Sequence, residues 1–155
     1  MPEVFIGAGS NADPERQLRR ALSELERRFG ALCCSSVYRG PAVGEPAADY
    51  LNLVAAFQSD LGVDSLRAAL RDIEALAGRT RADPAVCELD LDLLLYGSRV
   101  DAERRLPRPG LLSLPFLRVP LAELAPDVVH PVTGERFDYQ PTLRPPSTAM
   151  IWPVT

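Results

Sequence analysis

The chain has 155 residues, of which 46% are hydrophobic, and a formal net charge of −4 at pH 7. That length suits one domain with a real core, and the acidic balance argues against a broad nucleic-acid surface. No stretch approaches the ~20 apolar residues that span a bilayer, and the first residues lack the basic-then-apolar pattern of a secretory signal, so a cytoplasmic protein is expected.

Val4-Phe5-Ile6 reads as a first strand that runs into a tight Gly7-Ala8-Gly9-Ser10-Asn11 loop. Asp13 followed by Pro14 is a helix start, and Leu18, Leu22, Leu25 and Phe29 form one helical stripe that Gly30 ends. Residues 32–38 read as a second strand, 39–49 as a Gly-, Pro- and Ala-rich loop, and 50–59 as a third strand. A second helix is expected over 65–77, capped by Asp64 and closed by Gly78, with Leu66, Leu70 and Ile73 on its stripe. A polar loop over 79–88 leads to a fourth strand at 89–96. After Gly97 the pattern loosens, apart from a short helix over 121–125. The order predicts an α+β fold, a ferredoxin-like βαββαβ core with an irregular C-terminal extension. The expected division is a domain over 1–138 and a proline-rich tail over 139–155, lying on the surface or loose.

Three cysteines, Cys33, Cys34 and Cys87, are an odd count without framework spacing, which fits reduced thiols. One histidine, His130, makes no zinc pattern. Gly7-x-Gly9 lacks the third glycine of a dinucleotide fingerprint, so turn chemistry accounts for it.

The strongest chemical signal is Glu88-Leu89-Asp90-Leu91-Asp92-Leu93. Residues two apart on a strand share a face, so Asp90 and Asp92 point one way and the leucines the other. Such carboxylates repel each other, and a hard cation such as magnesium relieves that, sharing them with substrate phosphates. A strand with its polar face in water is the plainer alternative. Glu74, Arg79 and Arg81 lie just upstream, and two arginines beside a metal-binding face suit a polyphosphate. The helix dipole alone also favours arginines there. In the third cluster, the Gly40-Pro41 turn offers free backbone groups, Tyr50 a stacking face, and Asn52 an amide that donates and accepts at once.

In this order the clusters resemble the 6-hydroxymethyl-7,8-dihydropterin pyrophosphokinases. Phe5-Ile6-Gly7-x-Gly9-Ser10-Asn11 is similar to their first motif, and Ser36-x-Tyr38-x-x-Pro41-x-x-Gly44 with Asp49-Tyr50-Leu51-Asn52 to their pterin-side motif. Ile73-Glu74, Gly78-Arg79-x-Arg81 and the strand from Leu89 to Gly97 resemble their nucleotide and metal motifs. Phe116 and Pro120-Leu121-Ala122-Glu123-Leu124-Ala125-Pro126 resemble their closing segment.

The resemblance implies ATP-dependent pyrophosphoryl transfer to a pterin alcohol in folate biosynthesis, with AMP released. It implies two magnesium ions on Asp90 and Asp92, and ATP held with the help of Glu74, Arg79 and Arg81. Asn52 and backbone groups around Gly40, Pro41 and Val43 would read the pterin edge, and Tyr50 and Phe116 would sandwich its ring. The implied partners are small molecules, with neither nucleic acid nor membrane, and the oligomeric state is left open. Two places depart from the family pattern. Ala85-Val86-Cys87-Glu88 stands where the family carries Pro-Arg-Thr, and Leu106-Pro107-Arg108 where it carries Val-Pro-His; Arg108 is expected to bind phosphate from the opposite wall of the cleft. The carboxylates Asp90 and Asp92 are expected to face water without structural salt bridges. A non-catalytic or altered-specificity paralogue that binds a pterin or nucleotide is the alternative.

Overall fold

β1 (Glu3–Ser10) is buried from Val4 to Ser10, which suits a strand covered on both faces. In the computed structural model, which describes residues 1–42, 46–137 and 149–153, β1 is followed by α1 (Pro14–Phe29), β2 (Cys33–Cys34) and β3 (Ser36–Gly40). Then come β4 (Tyr50–Gln58), α2 (Val63–Leu76), β5 (Asp90–Tyr96), α3 (Pro115–Leu124) and β6 (Ala149–Pro153). The antiparallel sheet runs β5-β1-β4-β3-β6, with β2 also on β4. This is the expected ferredoxin-like βαββαβ core.

One sheet face carries Ile6, Leu53, Phe57, Leu91 and Leu93 under α1 and α2, which bring Leu18, Leu25, Leu66 and Ile73. Phe29 stacks on Phe57 at 4.5 Å, closing the end of α1 onto the sheet. The other face carries Phe5, Val54, Ala56 and Leu94 under Leu117 and Leu121 of α3. Beyond α3, a row of cross-strand partners stays open to a cavity: Asn52 opposite Gly9, and Gly9 opposite Asp90. Directly opposed residues of antiparallel strands share a face, so Asn52 and Asp90 flank the side-chain-free Gly9.

Several local expectations change. The strand expected over 32–38 is two, because Ser35 leaves the regular ladder: its N–H donates to Val54 O, and its Oγ accepts from Val54 N at 2.9 Å. Asp13 does not cap α1; it sits at φ 50 with no side-chain cap bond, and Pro14 alone marks the start. Asp64 is not the cap of α2 either, since that helix begins at Val63 and Asp64 pairs with Arg104 at 3.2 Å. α3 starts six residues before the expected 121. Of the expected tail, residues 149–153 form β6 on β3, while the expected boundary at 138 and 139 falls outside the described residues.

Glu123 ties α3 to the sheet: it accepts the Ser36 N–H at 2.9 Å and the Tyr38 hydroxyl at 3.1 Å. Removing an acceptor from part-buried donors costs about 1–3 kcal/mol. Glu123→Ala should therefore lower stability by that order in a denaturant melt, and Glu123→Gln, which keeps an acceptor oxygen, by less.

Candidate active site

On β5, Asp90 and Asp92 point to the same face and are partly exposed, at 42% and 32%. Each has an arginine. Arg79 Nη1 lies 2.8 Å from Asp90 Oδ1, and Arg108 Nη2 lies 3.3 Å from Asp92 Oδ2. The expectation of carboxylates free of salt bridges is thus corrected. Two like charges two residues apart are stable here because separate segments bring a cation to each.

Behind them Glu74 of α2 is buried. It accepts the Leu91 N–H at 2.8 Å and pairs with Arg79 at 3.2 Å and Arg81 at 3.6 Å. Burial pushes its carboxyl above the usual range, against the pull of the Leu91 N–H and Arg79. Glu74 therefore braces β5 and Arg79. Arg79 also donates to Leu89 O at 3.0 Å, so this half-buried guanidinium is fixed by three acceptors. Arg81 is exposed and held at φ 59. Burial and the neighbouring Asp90 raise the Asp92 carboxyl above its ordinary value, and Arg108 opposes them.

Two cavities meet at Asp90. The larger, of about 390 Å³, is polar and holds Glu74, Arg81, Asp92 and Arg108 on its walls. The smaller, of about 180 Å³, is walled by Tyr50, Asn52, Phe116, Pro41 and Gly9. Both include Asp90. A Cβ on Gly9 would come within 2.6 Å of Asn52 Oδ1, so only glycine lets that amide lie across the floor. Burial, with Cys87 beside it, pushes the Tyr50 hydroxyl up to about 12, so the ring carries a neutral hydroxyl at working pH.

The segment before β5 is fastened by Asn11. Its Nδ2 donates to Ala85 O at 2.9 Å, its Oδ1 accepts from Cys87 N at 2.7 Å, and its own N–H donates to Cys87 O at 3.0 Å.

Residues 5–126 match the 7,8-dihydro-6-hydroxymethylpterin-pyrophosphokinase (HPPK) family. The chain belongs to that family. It is 38% identical to the 2-amino-4-hydroxy-6-hydroxymethyldihydropteridine pyrophosphokinase of Synechocystis, over 97% of this chain and 80% of that protein. It is 31% identical to the Aquifex aeolicus protein of the same name, over 94% of this chain and 96% of that one. A crystal structure of a Plasmodium falciparum HPPK-DHPS triple mutant superposes with a TM-score of 0.67 at 10% identity, which speaks to the fold alone. That match covers 88% of this chain and 43% of the Plasmodium one, so the present chain spans less than half of that longer protein. The family's reaction is ATP pyrophosphoryl transfer in folate biosynthesis, with ATP as co-substrate.

Against this HPPK pattern, the expected residues fall into two groups. Glu74, Arg81, Asp90, Asp92 and Arg108 line one cavity, and Pro41, Tyr50, Asn52, Phe116 and Asp90 the other. Arg79 lies behind them on Asp90 and Glu74. Gly40 pairs with Tyr50 at the end of β3. Val43 lies outside the described residues. Arg108 does not stand apart on an opposite wall; it is already on Asp92, because its segment returns along β5 with Arg108 N donating to Leu94 O at 3.0 Å. Sequence reasoning missed Gly9 as the floor, Asn11 as the fastener, and the arginines Arg67, Arg71 and Arg105 on the larger cavity. For Arg67 and Arg71 the signal was their spacing, which puts them on one helical stripe with Glu74.

The raised Asp92 carboxyl has a consequence for stability. A folded pKa above the unfolded one contributes stability at low pH, and that contribution is lost as pH rises through the folded pKa. Asp92→Asn, which carries no charge, should melt at a higher temperature than the parent at neutral pH, and acidification should close the gap. Scanning calorimetry at neutral pH and at a pH below the carboxylate range checks this; a lower melting temperature at neutral pH would show that the Arg108 pair outweighs the burial cost.

Proposed function

We propose that this HPPK-family chain transfers the pyrophosphoryl group of ATP to 6-hydroxymethyl-7,8-dihydropterin and releases AMP. The observation that carries this reading is the shared Asp90. A cavity rich in arginine and carboxylate suits a polyphosphate, a small cavity with an amide and two aromatic rings suits a pterin, and the two meet at one carboxylate.

In this reading the pterin lies between Tyr50 and Phe116, and Asn52 holds its edge through paired donor and acceptor contacts. Its hydroxymethyl oxygen then points toward Asp90. That oxygen attacks the β-phosphorus, the bond from the β-phosphorus to the α–β bridging oxygen breaks, AMP leaves with that oxygen, and the hydroxyl proton is lost to water. Positioning and charge neutralisation supply the catalysis.

The donor set fits magnesium. Asp90 and Asp92 offer hard oxygens on one face, and burial and mutual repulsion strain Asp92 toward any cation. Among the described residues no group of three or more His, Cys, Asp or Glu could hold a metal ion, so substrate oxygens would complete the shell, as is usual for magnesium. Two ions on Asp90 and Asp92 would neutralise charge on the phosphates. Arg108, released from Asp92 by those ions, would turn to phosphate oxygens and Arg81 would add to them, while Arg79 would stay on Glu74 and Leu89 O. We place the reaction in the cytoplasm, where thiols such as those of Cys33, Cys34 and Cys87 stay reduced. Among the described residues no helix is long and apolar enough to cross a membrane.

Following AMP in the presence of ATP, magnesium and the pterin alcohol tests the reading. AMP release that requires the pterin supports it; intact ATP binding with no release would make the chain a non-catalytic binder. Asp90→Ala and Asp92→Ala should each abolish magnesium-dependent ATP binding with the fold retained by circular dichroism. In the other cavity, Gly9→Ala should displace the Asn52 amide and weaken a pterin analogue at least ~tenfold, about 1.4 kcal/mol. Calorimetry reads this, and an unchanged affinity would remove Asn52 from the pterin site.

A further inference from the structure

Six arginines and four carboxylates line the larger cavity, a surplus of two positive charges. Three of the arginines are committed. Arg108 is on Asp92, Arg81 on Glu74, and Arg104 on Asp64 and Asp101. The side chains of Arg67, Arg71 and Arg105 make no ion pair or hydrogen bond among the described residues. They nevertheless share one electrostatic neighbourhood. Burial lowers the Arg67 pKa, the charges of Arg71 and Arg105 lower it further, and Asp64 and Asp92 oppose them. Grouped cations with no ion-pair partner among the described residues call for an anion, as paired carboxylates call for a cation.

The backbone supports the same conclusion. Among the described residues, non-glycine positions with positive φ are Asp13, Arg81 and Arg105, so two of the three are arginines of this cavity. Left-handed backbone at a non-glycine residue is strained and collects at ligand sites. Arg67 and Arg71 share one stripe of α2 with Glu74, turned to the same cavity.

The direction of the reaction says which phosphate they meet, and here the inference rests on the proposed function. Attacking and leaving oxygens lie roughly in line across the transferred phosphorus. The acceptor cavity is on one side of Asp90, so the leaving group departs on the other, into the larger cavity. We propose that Arg67 and Arg105 bind the α-phosphate of the departing nucleoside monophosphate, with Arg71 adding to their field. They supply positive charge that residues 85–88 do not carry.

The test is calorimetry on the full chain with AMP, adenosine and inorganic tripolyphosphate, for the parent, Arg67→Gln, Arg105→Gln and Arg67→Lys. Arg67→Gln and Arg105→Gln should each weaken AMP at least ~tenfold, or about 1.4 kcal/mol, and leave adenosine and a pterin analogue unchanged. Tripolyphosphate should weaken with AMP, and Arg67→Lys should recover part of the loss. Equal losses for adenosine and AMP would mean a base contact or a damaged fold and overturn the proposal. Unchanged AMP affinity in both glutamine variants, or no AMP binding by the parent, would overturn it too. Arg105 is exposed, so its variant reports even if Arg67→Gln folds poorly. A parent that binds AMP through these arginines yet releases none from ATP would sink the functional reading and leave this inference standing.

Discussion

The pairing of β5 carboxylates with arginines from other segments is the constraint on which the site depends. Asp90 and Asp92 share a face two residues apart, and Glu74 lies behind them, so three acidic groups converge on one strand edge. Arg79 answers two of them from the end of α2, and Arg108 answers the third from the segment after β5. The Arg79–Asp90 and Arg108–Asp92 pairs are partly solvated, so neither contributes much stability alone. Together they fix where both flanking segments lie. The same arrangement makes the carboxylates exchangeable: a guanidinium on a half-exposed carboxylate can give way to a harder cation without unfolding anything.

The second constraint is steric. Gly7 and Gly9 both lie on β1, on the face away from α1 and α2. At Gly7 an added Cβ would meet Leu117 of α3 at 3.2 Å, so the missing side chain lets the helix settle on the sheet. At Gly9 the space is taken by the Asn52 amide instead. One strand therefore has a roofed half and an open half, and α3 ends the roof with Phe116 at the mouth of the smaller cavity. The site is the part of the sheet that the third helix leaves uncovered.

Much of this was legible because strand and helix periods report faces directly. The alternation of Asp90 and Asp92 with Leu91 and Leu93 located the carboxylate face, and the leucines are indeed buried under α1 and α2. Tyr50 and Asn52 were singled out by residue type, as a stacking ring and a donor–acceptor amide, and Phe116 joined them only through the family pattern. Ion pairs were not legible. Arg79 to Asp90 and Arg108 to Asp92 connect segments whose relative placement no local pattern encodes. Arg67 and Arg71 were passed over because arginines four apart on an amphipathic helix look like a solvated face until a cavity is seen beside them. β6 carries proline and no alternation, so its pairing with β3 left no trace in the pattern.

The segment from Arg79 to Leu89 reaches both cavities, through Arg81 and Pro84. Its anchors are the neutral bonds of Asn11 to Ala85 and Cys87, the buried Cys87 thiol against Tyr50, and Arg79 at its base. An anchor of this kind holds the segment over the junction of the two cavities but brings no free cation from residues 85–88. On the proposed reading, a polyphosphate in the larger cavity needs positive charge on that side, because four carboxylates line it. The remaining walls are α2 and the segment from Arg104 to Arg108, and these carry Arg67, Arg71 and Arg105, which make no ion pair among the described residues. If the inference holds, charge that residues 85–88 lack comes instead from the stripe of a helix and from a turn held by the Asp101–Leu106 bridge.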